Sequence, residues 1–184
     1  MNVSEAARDA GLSNTTARRY VDLLQQTFQI FLLQPWFANV GKRLVKTPKV
    51  YVTDTGLGCH LAAADRWETL ERQVRVGPVV ETFVGNELRK LISLSPGATH
   101  LWFWRVEHGA EVDFLLERGG EVVAIETKWS TGLAGRELRS LEQCRDALGK
   151  AFRLGILLYG GEQSISVGDR LVAVPFSAFL GRDG

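Results

Sequence analysis

The chain reads as an α/β (α+β) protein whose larger part follows the order αβββαβ. Two features carry that reading. Apolar residues recur at helical spacing from Pro78 to Ser93, and β-rich runs then cover residues 100–106, 111–118 and 121–129, ahead of a helix over 135–148 and a strand over 151–159. A shorter segment ahead of this core reads as two helices and a β-ribbon, and the divisions predicted are 1–53, 54–76 and 77–184.

In the first segment, residues 3–26 predict helix, tight turn, helix. Gly11 ends the first helix and Ser13 or Asn14 caps the second. Ala6, Ala7 and Ala10 are expected to face Ala17, Tyr20, Val21 and Leu24 across the corner, the helix-turn-helix pattern. Residues 29–34 and 49–52 are β-rich and flank a basic stretch, GKRLVKTPK at 41–49, which makes a wing. Read as a DNA-binding corner, the second helix offers Asn14, Thr15, Thr16, Arg18 and Arg19 to base edges or phosphates, and Lys42, Arg43, Lys46 and Lys49 hold the backbone from the wing. The same alanine-rich corner also suits a protein-packing module. A winged helix has another helix before these two, so the segment reads as a partial one belonging to a longer chain. Residues 54–76 form a connector with a short helix expected around 62–74.

Composition sets the bounds. With 45% hydrophobic and 23% charged residues the chain should bury an ordinary core. Its net charge of +1 hides an asymmetry: residues 1–60 hold seven Lys/Arg against four Asp/Glu, which makes the front mildly basic. Cys59 and Cys144 lie far apart with no metal-like spacing, so neither a disulfide framework nor a zinc site is expected, and a reducing cytoplasm is the default setting. The longest apolar runs, such as LGILLYG at 154–160, are of strand length, and no membrane association is expected.

The chemistry is predicted at the central hairpin. Gly119-Gly120 is a two-residue connection that accepts positive φ at both positions, so Arg118 and Glu121 should pair directly. Asp113 lies five residues before Arg118 and Glu126 five after Glu121, which sets the two carboxylates opposite one another on one face. Lys128 shares that face and stands opposite Glu111. The other face, with Val112, Phe114, Leu116, Val123 and Ile125, is apolar. Facing carboxylates repel, and a hard cation such as Mg2+ or Mn2+ would compensate. Lys128 could then orient a water or balance charge on a phosphate. An amphipathic hairpin with ordinary surface salt bridges remains the alternative.

The stretch GAEVDFLLERGGEVVAIETKWS at 109–130 resembles the D…(D/E)xK core of the PD-(D/E)XK nucleases, and αβββαβ is similar to the restriction-endonuclease-like fold of that superfamily. GPVVE at 77–81 resembles the GxxxE motif of Holliday-junction-resolvase-like and RecB-like members, which implies Glu81 as a further catalytic and metal-binding acid beside Asp113, Glu126 and Lys128. More narrowly, the chain resembles the uncharacterised, DUF4143-type C-terminal region that follows a P-loop domain in a large family of AAA+ ATPases. That resemblance rests on residues 4–24 and 41–57, FWRVEHGAEVDF and IETKWS. No GxxxxGK[ST] occurs in the chain, so ATP would enter only through a preceding domain of a longer chain.

The expected function is a metal-dependent nuclease-like module that works on DNA, partnered by a P-loop ATPase domain of the same full-length chain. A non-catalytic DNA-binding or regulatory domain and a protein-docking domain are the alternatives, since function resides in the site rather than the fold. Glu87, near the middle of the helical apolar stripe, is either a support for the site or a salt-bridged structural residue.

Overall fold

In the computed structural model, residues 3–36, 47–73, 76–106, 109–133 and 135–181 are described. They form a mixed α and β structure that divides into two compact units. The first runs to Leu88, apart from a short stretch beginning at Trp36, which belongs with the second unit from Arg89 onward. The change of unit falls inside one helix.

The first unit opens with α1 (Val3–Asp9) and α2 (Asn14–Gln26). Ser13 is the residue that caps α2, its hydroxyl accepting the Thr16 N–H at 3.1 Å. Ala7 and Ala17 are buried at the corner, whereas Tyr20 and Leu24, expected to face it, are 56% and 41% exposed. The ribbon is antiparallel: β1 (Ile30–Leu33) pairs with β2 (Lys49–Val52) from Ile30↔Val52 to Leu33↔Lys49. The connector holds two helices where one was expected, α3 (Thr55–Leu61), capped by Asp54, and α4 (Trp67–Gln73). Ala64, Leu70 and Val76 form a small core there.

Helix α5 (Val76–Leu94) follows, then β3 (His100–Arg105), β4 (Glu111–Arg118), β5 (Glu121–Lys128), α6 (Arg136–Leu148) and β6 (Phe152–Tyr159), the expected order. Two further strands and a short helix were not anticipated: β7 (Ile165–Gly168), β8 (Leu171–Pro175) and α7 (Phe176–Phe179). Together the strands make a six-stranded sheet of order β3-β4-β5-β6-β8-β7. β3, β4 and β5 form an antiparallel meander, β6 lies parallel to both β5 and β8, and β7 pairs antiparallel with β8. The meander turns at Gly119 and Gly120, with φ of 60° and 83°, so the hairpin takes the left-handed conformations its two glycines permit.

Helix α6 spans the parallel step from β5 to β6. Its Leu141, Cys144 and Leu148 join Leu115, Val122, Ala124, Phe152, Leu157 and Leu171 in one buried cluster against the sheet. The hairpin is not an amphipathic surface element, because Phe114 and Ile125 on one side and Leu115 and Ala124 on the other are all buried. Among the described residues, no helix is long and apolar enough to cross a membrane.

The packing beneath α6 is tight at Gly155, where an added Cβ would lie 2.5 Å from Leu171 Cδ2 and 2.9 Å from Phe152 Cζ. Both neighbours are buried and have little room to yield. Gly155→Ala should therefore lower the unfolding free energy by about 1–3 kcal/mol through overpacking. Urea midpoints of the two proteins measure it, and equal midpoints would show that the core has slack here.

Candidate active site

The register of β4 and β5 runs from Arg118↔Glu121 to Phe114↔Ile125, as the diglycine turn predicts. One step further the side chains take over. The Asp113 N–H donates to Glu126 Oε2 at 3.1 Å, and Thr127 donates to Asp113 Oδ2 through its N–H at 3.0 Å and its hydroxyl at 2.8 Å. Past this point β4 keeps its pairing with β3 through Val112 and Glu111, and β5 keeps its pairing with β6 as far as Lys128. The facing carboxylates of the predicted pair are thus joined by crossed bonds from side chain to backbone. These donors supply part of the compensation that the sequence assigned to a cation.

The site also lies beneath a helix, which the alternation of β4 and β5 could not indicate. On β5 the row of Glu126 and Lys128 begins with Val122 and Ala124, and on β4 the row of Asp113 includes Leu115. All three apolar residues belong to the core under α6. Glu126 and Asp113 continue those rows to where α6 starts. A pocket of about 220 Å3 is lined there by Glu111, Asp113 and Glu126 from the strands and by Arg136, Glu137 and Ser140 from α6. Asp113 is only 9% exposed.

Lys128 and Glu137 form an ion pair at 3.0 Å, with side chains 18% and 28% exposed. Gly135, at φ 149°, lets α6 begin against this pair, since a Cβ there would stand 2.9 Å from Glu137 Oε2 and 3.2 Å from Lys128 Nζ. Burial alone would raise the Glu137 pKa. Its own backbone N–H, the Lys128 hydrogen bond and the charges of Lys128 and Arg136 outweigh that and hold the carboxyl below its ordinary value of 4.5. Behind the pocket, burial and the Glu126 charge push the Cys144 thiol up to about 12, so it is an inert core group rather than a nucleophile.

Glu137, Arg136, Ser140 and Thr127 were not singled out by the sequence reading. A signal for Glu137 exists, because it heads the stripe Glu137, Leu141, Cys144, Leu148 that α6 turns toward the sheet. Glu111, expected opposite Lys128, makes a close ion pair with Arg105. Trp129, just after the ExK motif, is 44% exposed and sits in tilted contact with Phe176, with ring centroids 6.0 Å apart.

Glu81 lies in the first unit. There Lys49 Nζ reaches its carboxylate at 2.9 Å and the Tyr51 hydroxyl donates to the same oxygen, so Glu81 ties β2 to the start of α5. In the same helix the buried polar residue is Asn86, which donates to the carbonyls of Val52 (2.9 Å) and Thr82 (3.1 Å), while Glu87 is half-buried. On α2, Thr15, Arg18 and Arg19 are exposed, and Thr16 is engaged with the Ser13 cap. Lys42, Arg43 and Lys46 lie outside the described residues.

Among the described residues no group of three or more His, Cys, Asp or Glu converges as metal ligands. The four carboxylates around the pocket line it without meeting at a point, and Glu111 and Glu137 already hold cations of the protein itself. Asp113 and Glu126 do suit a magnesium-like ion. Such an ion takes hard oxygen donors and is commonly held by one or two carboxylates, with water and substrate phosphate completing the shell.

The profile described as "Domain of unknown function (DUF4143)" matches residues 76–179, and this chain belongs to that family. A second profile, "Domain of unknown function (DUF8612)", matches residues 1–68. The chain is similar to the "Uncharacterized protein Rv2008c" of Mycobacterium tuberculosis and the "Uncharacterized protein Mb2031c" of Mycobacterium bovis. It is 36% identical to each over 182 residues, an alignment covering 96% of this chain and 38% of either relative. The chain thus spans well under half the length of these curated relatives. No solved structure matches it.

The Lys128–Glu137 pair gives a pH signature. Because the folded pKa of Glu137 is depressed, its stabilisation is fully present above the ordinary carboxylate value and is lost as pH falls through the folded value. Glu137→Gln should therefore cost on the order of 1 kcal/mol at pH 7. The gap to wild type should close below about pH 4. Urea midpoints at pH 7 and pH 3 check this, and a gap of the same size at both would show that the carboxylate charge is not what matters.

Proposed function

We propose that residues 77–184 form a metal-dependent nuclease-like module of the PD-(D/E)XK kind that acts on DNA. The observation that carries this reading is the meeting of Asp113 and Glu126 in one pocket at the point where their strands stop pairing, with Lys128 two residues beyond Glu126. The element order α5-β3-β4-β5-α6-β6 supports it. In this reading Asp113 and Glu126 hold Mg2+ or Mn2+, which when bound supplies Lewis acidity toward a phosphate and lowers the pKa of a bound water. The crossed bonds fix both carboxylates before any ligand arrives, and Lys128 positions the water or balances charge on the phosphate. Glu81 is offered as a further acid only on the strength of its motif.

Residues 1–53 are read as a partial winged helix, a reading supported by the order α1-α2-β1-β2 and by the exposed Thr15, Arg18 and Arg19. The relatives extend well beyond the aligned region, which leaves room for the P-loop ATPase domain that the resemblance implies, in a cytoplasmic protein. A regulatory docking role is the second reading. It is favoured by the ion pair that occupies Lys128 and by an apolar stripe on and after α2, where Leu23 and Phe28 are 60% and 79% exposed beside Tyr20 and Leu24.

Under the nuclease reading, Mn2+ at a hundredfold excess over its dissociation constant should stabilise the fold by about 2.7 kcal/mol. Asp113→Asn should remove that increment while leaving the metal-free protein as stable or slightly more so. Incubated with Mn2+ and branched, single-stranded or duplex DNA, the wild type should cleave at least one substrate. Lys128→Ala should retain the metal response and lose about 100-fold or more in rate. An Mn2+ response that survives Asp113→Asn would rule out this metal site, and stabilisation without cleavage would favour the regulatory reading.

A further inference from the structure

The carboxylate pocket raises a difficulty that its neighbourhood answers. A phosphodiester is an anion, and a pocket walled by Glu111, Asp113, Glu126 and Glu137 repels it unless positive charge lies along its route. A second pocket, of about 350 Å3, adjoins the first and shares Arg136 and Ser140 with it. Its other walls are Arg139 and Gln143 from α6 and Gly109 and Ala110 from the turn into β4. Arg136, Arg139, Ser140 and Gln143 fall on one face of α6 by their spacing of three, four and seven residues. That face is distinct from the stripe that packs on the sheet.

Arg136, Arg139 and Gln143 are exposed, and neither arginine makes an ion pair or hydrogen bond among the described residues. They contrast with Arg145 further along the same helix, which is tied to Asp146 and to the Asp169 carbonyl. A guanidinium offers two parallel donors that fit phosphate oxygens, and Gln143 adds a neutral donor. Glycine and alanine on the facing wall leave the groove open to a bulky group, and its volume falls within the range of about 300–1,000 Å3 typical of ligand pockets.

We propose that this groove is a phosphate-binding subsite for a DNA strand: Arg136 and Arg139 grip the backbone phosphate next to the one presented to Asp113 and Glu126. The subsite sets the direction in which the strand crosses the pocket, running along α6 from Gln143 toward Gly135. The proposal deepens the nuclease reading and takes its class of ligand from it, but attraction in the groove does not itself require a metal.

The test is binding of a fluorescein-labelled single-stranded oligonucleotide to the whole chain in EDTA, followed by anisotropy across a salt series. Each backbone contact contributes about 0.7 to the slope of log K against log salt for a single strand. Arg136→Ala with Arg139→Ala should therefore flatten the slope by about 0.7, the one phosphate that the pair neutralises together. Replacing both by Lys should preserve it, since charge is kept at exposed positions. Lys150→Ala, an exposed cation beyond the far end of α6, should leave it unchanged. The proposal is overturned if the wild type does not bind, if the double alanine variant keeps the wild-type slope, or if Lys150→Ala lowers the slope by as much per residue. Loss of slope in EDTA from a protein that never cleaves with Mn2+ would uphold the groove while removing the nuclease reading.

Discussion

The crossed hydrogen bonds between Asp113 and the Glu126–Thr127 step are the constraint on which the site depends. Two antiparallel strands that stop pairing inside a sheet leave backbone donors that must be satisfied within the protein. Here each acid serves the other strand, Glu126 taking the Asp113 N–H and Asp113 taking that of Thr127. The arrangement ends the β4–β5 ladder, locks both side chains and directs them to one place. It also couples the site to folding, because truncating either side chain to Ala leaves a partly buried amide without its acceptor.

The position of that place follows from how α6 covers the sheet. A continuous apolar layer of Leu115, Val122, Ala124, Leu141 and Cys144 fills the space beneath the helix. Where α6 begins at Gly135 the cover ends, and the same rows of β4, β5 and α6 change from apolar to Asp113, Glu126 and Glu137. The pocket is thus the rim of the core rather than a separate surface feature. Cys144 marks the transition, since its thiol is wholly buried and still feels the charge of Glu126.

Much of this was legible because the hairpin is local. Gly119-Gly120 fixes one pair, pairing of period two fixes the others, and Asp113 meets Glu126 with no knowledge of the rest of the chain. Alternation states which residues share a face but not which face a helix will cover; it groups Val112 with Phe114 and Ile125, whereas a bulge in the β3–β4 pairing turns Val112 into the core beneath α6 beside Leu115. Glu137 was missed for a related reason: the contact with Lys128 depends on the turn before α6, where Gly135 permits a close approach. In the first unit a helical wheel placed Glu87 in the apolar stripe, whereas the buried neighbour is Asn86, whose amide reaches the Val52 carbonyl. The β7–β8 hairpin does carry strand cues, with Ile165 and Val167 alternating with serines, Gly168-Asp169 as a turn and a β-rich LVAV at 171–174. Its place in the fold was not legible, because it comes from β8 joining the sheet edge along β6 and β7 following on β8.

Lys128 is where the two functional readings make different demands on the same geometry. An ammonium beside a bound divalent cation is repelled, so a nuclease site needs a counter-charge that holds the lysine close without neutralising the metal ligands. Glu137 supplies it from α6 rather than from the strands that carry Asp113 and Glu126. An arriving phosphate would then compete with Glu137 for Lys128. A docking platform has no need of such an exchange, and for it the Lys128–Glu137 pair would serve only to seal the rim of the core. The pair is therefore costly to disturb under one reading and a working part under the other, which makes the lysine, more than either carboxylate, the residue whose replacement separates them.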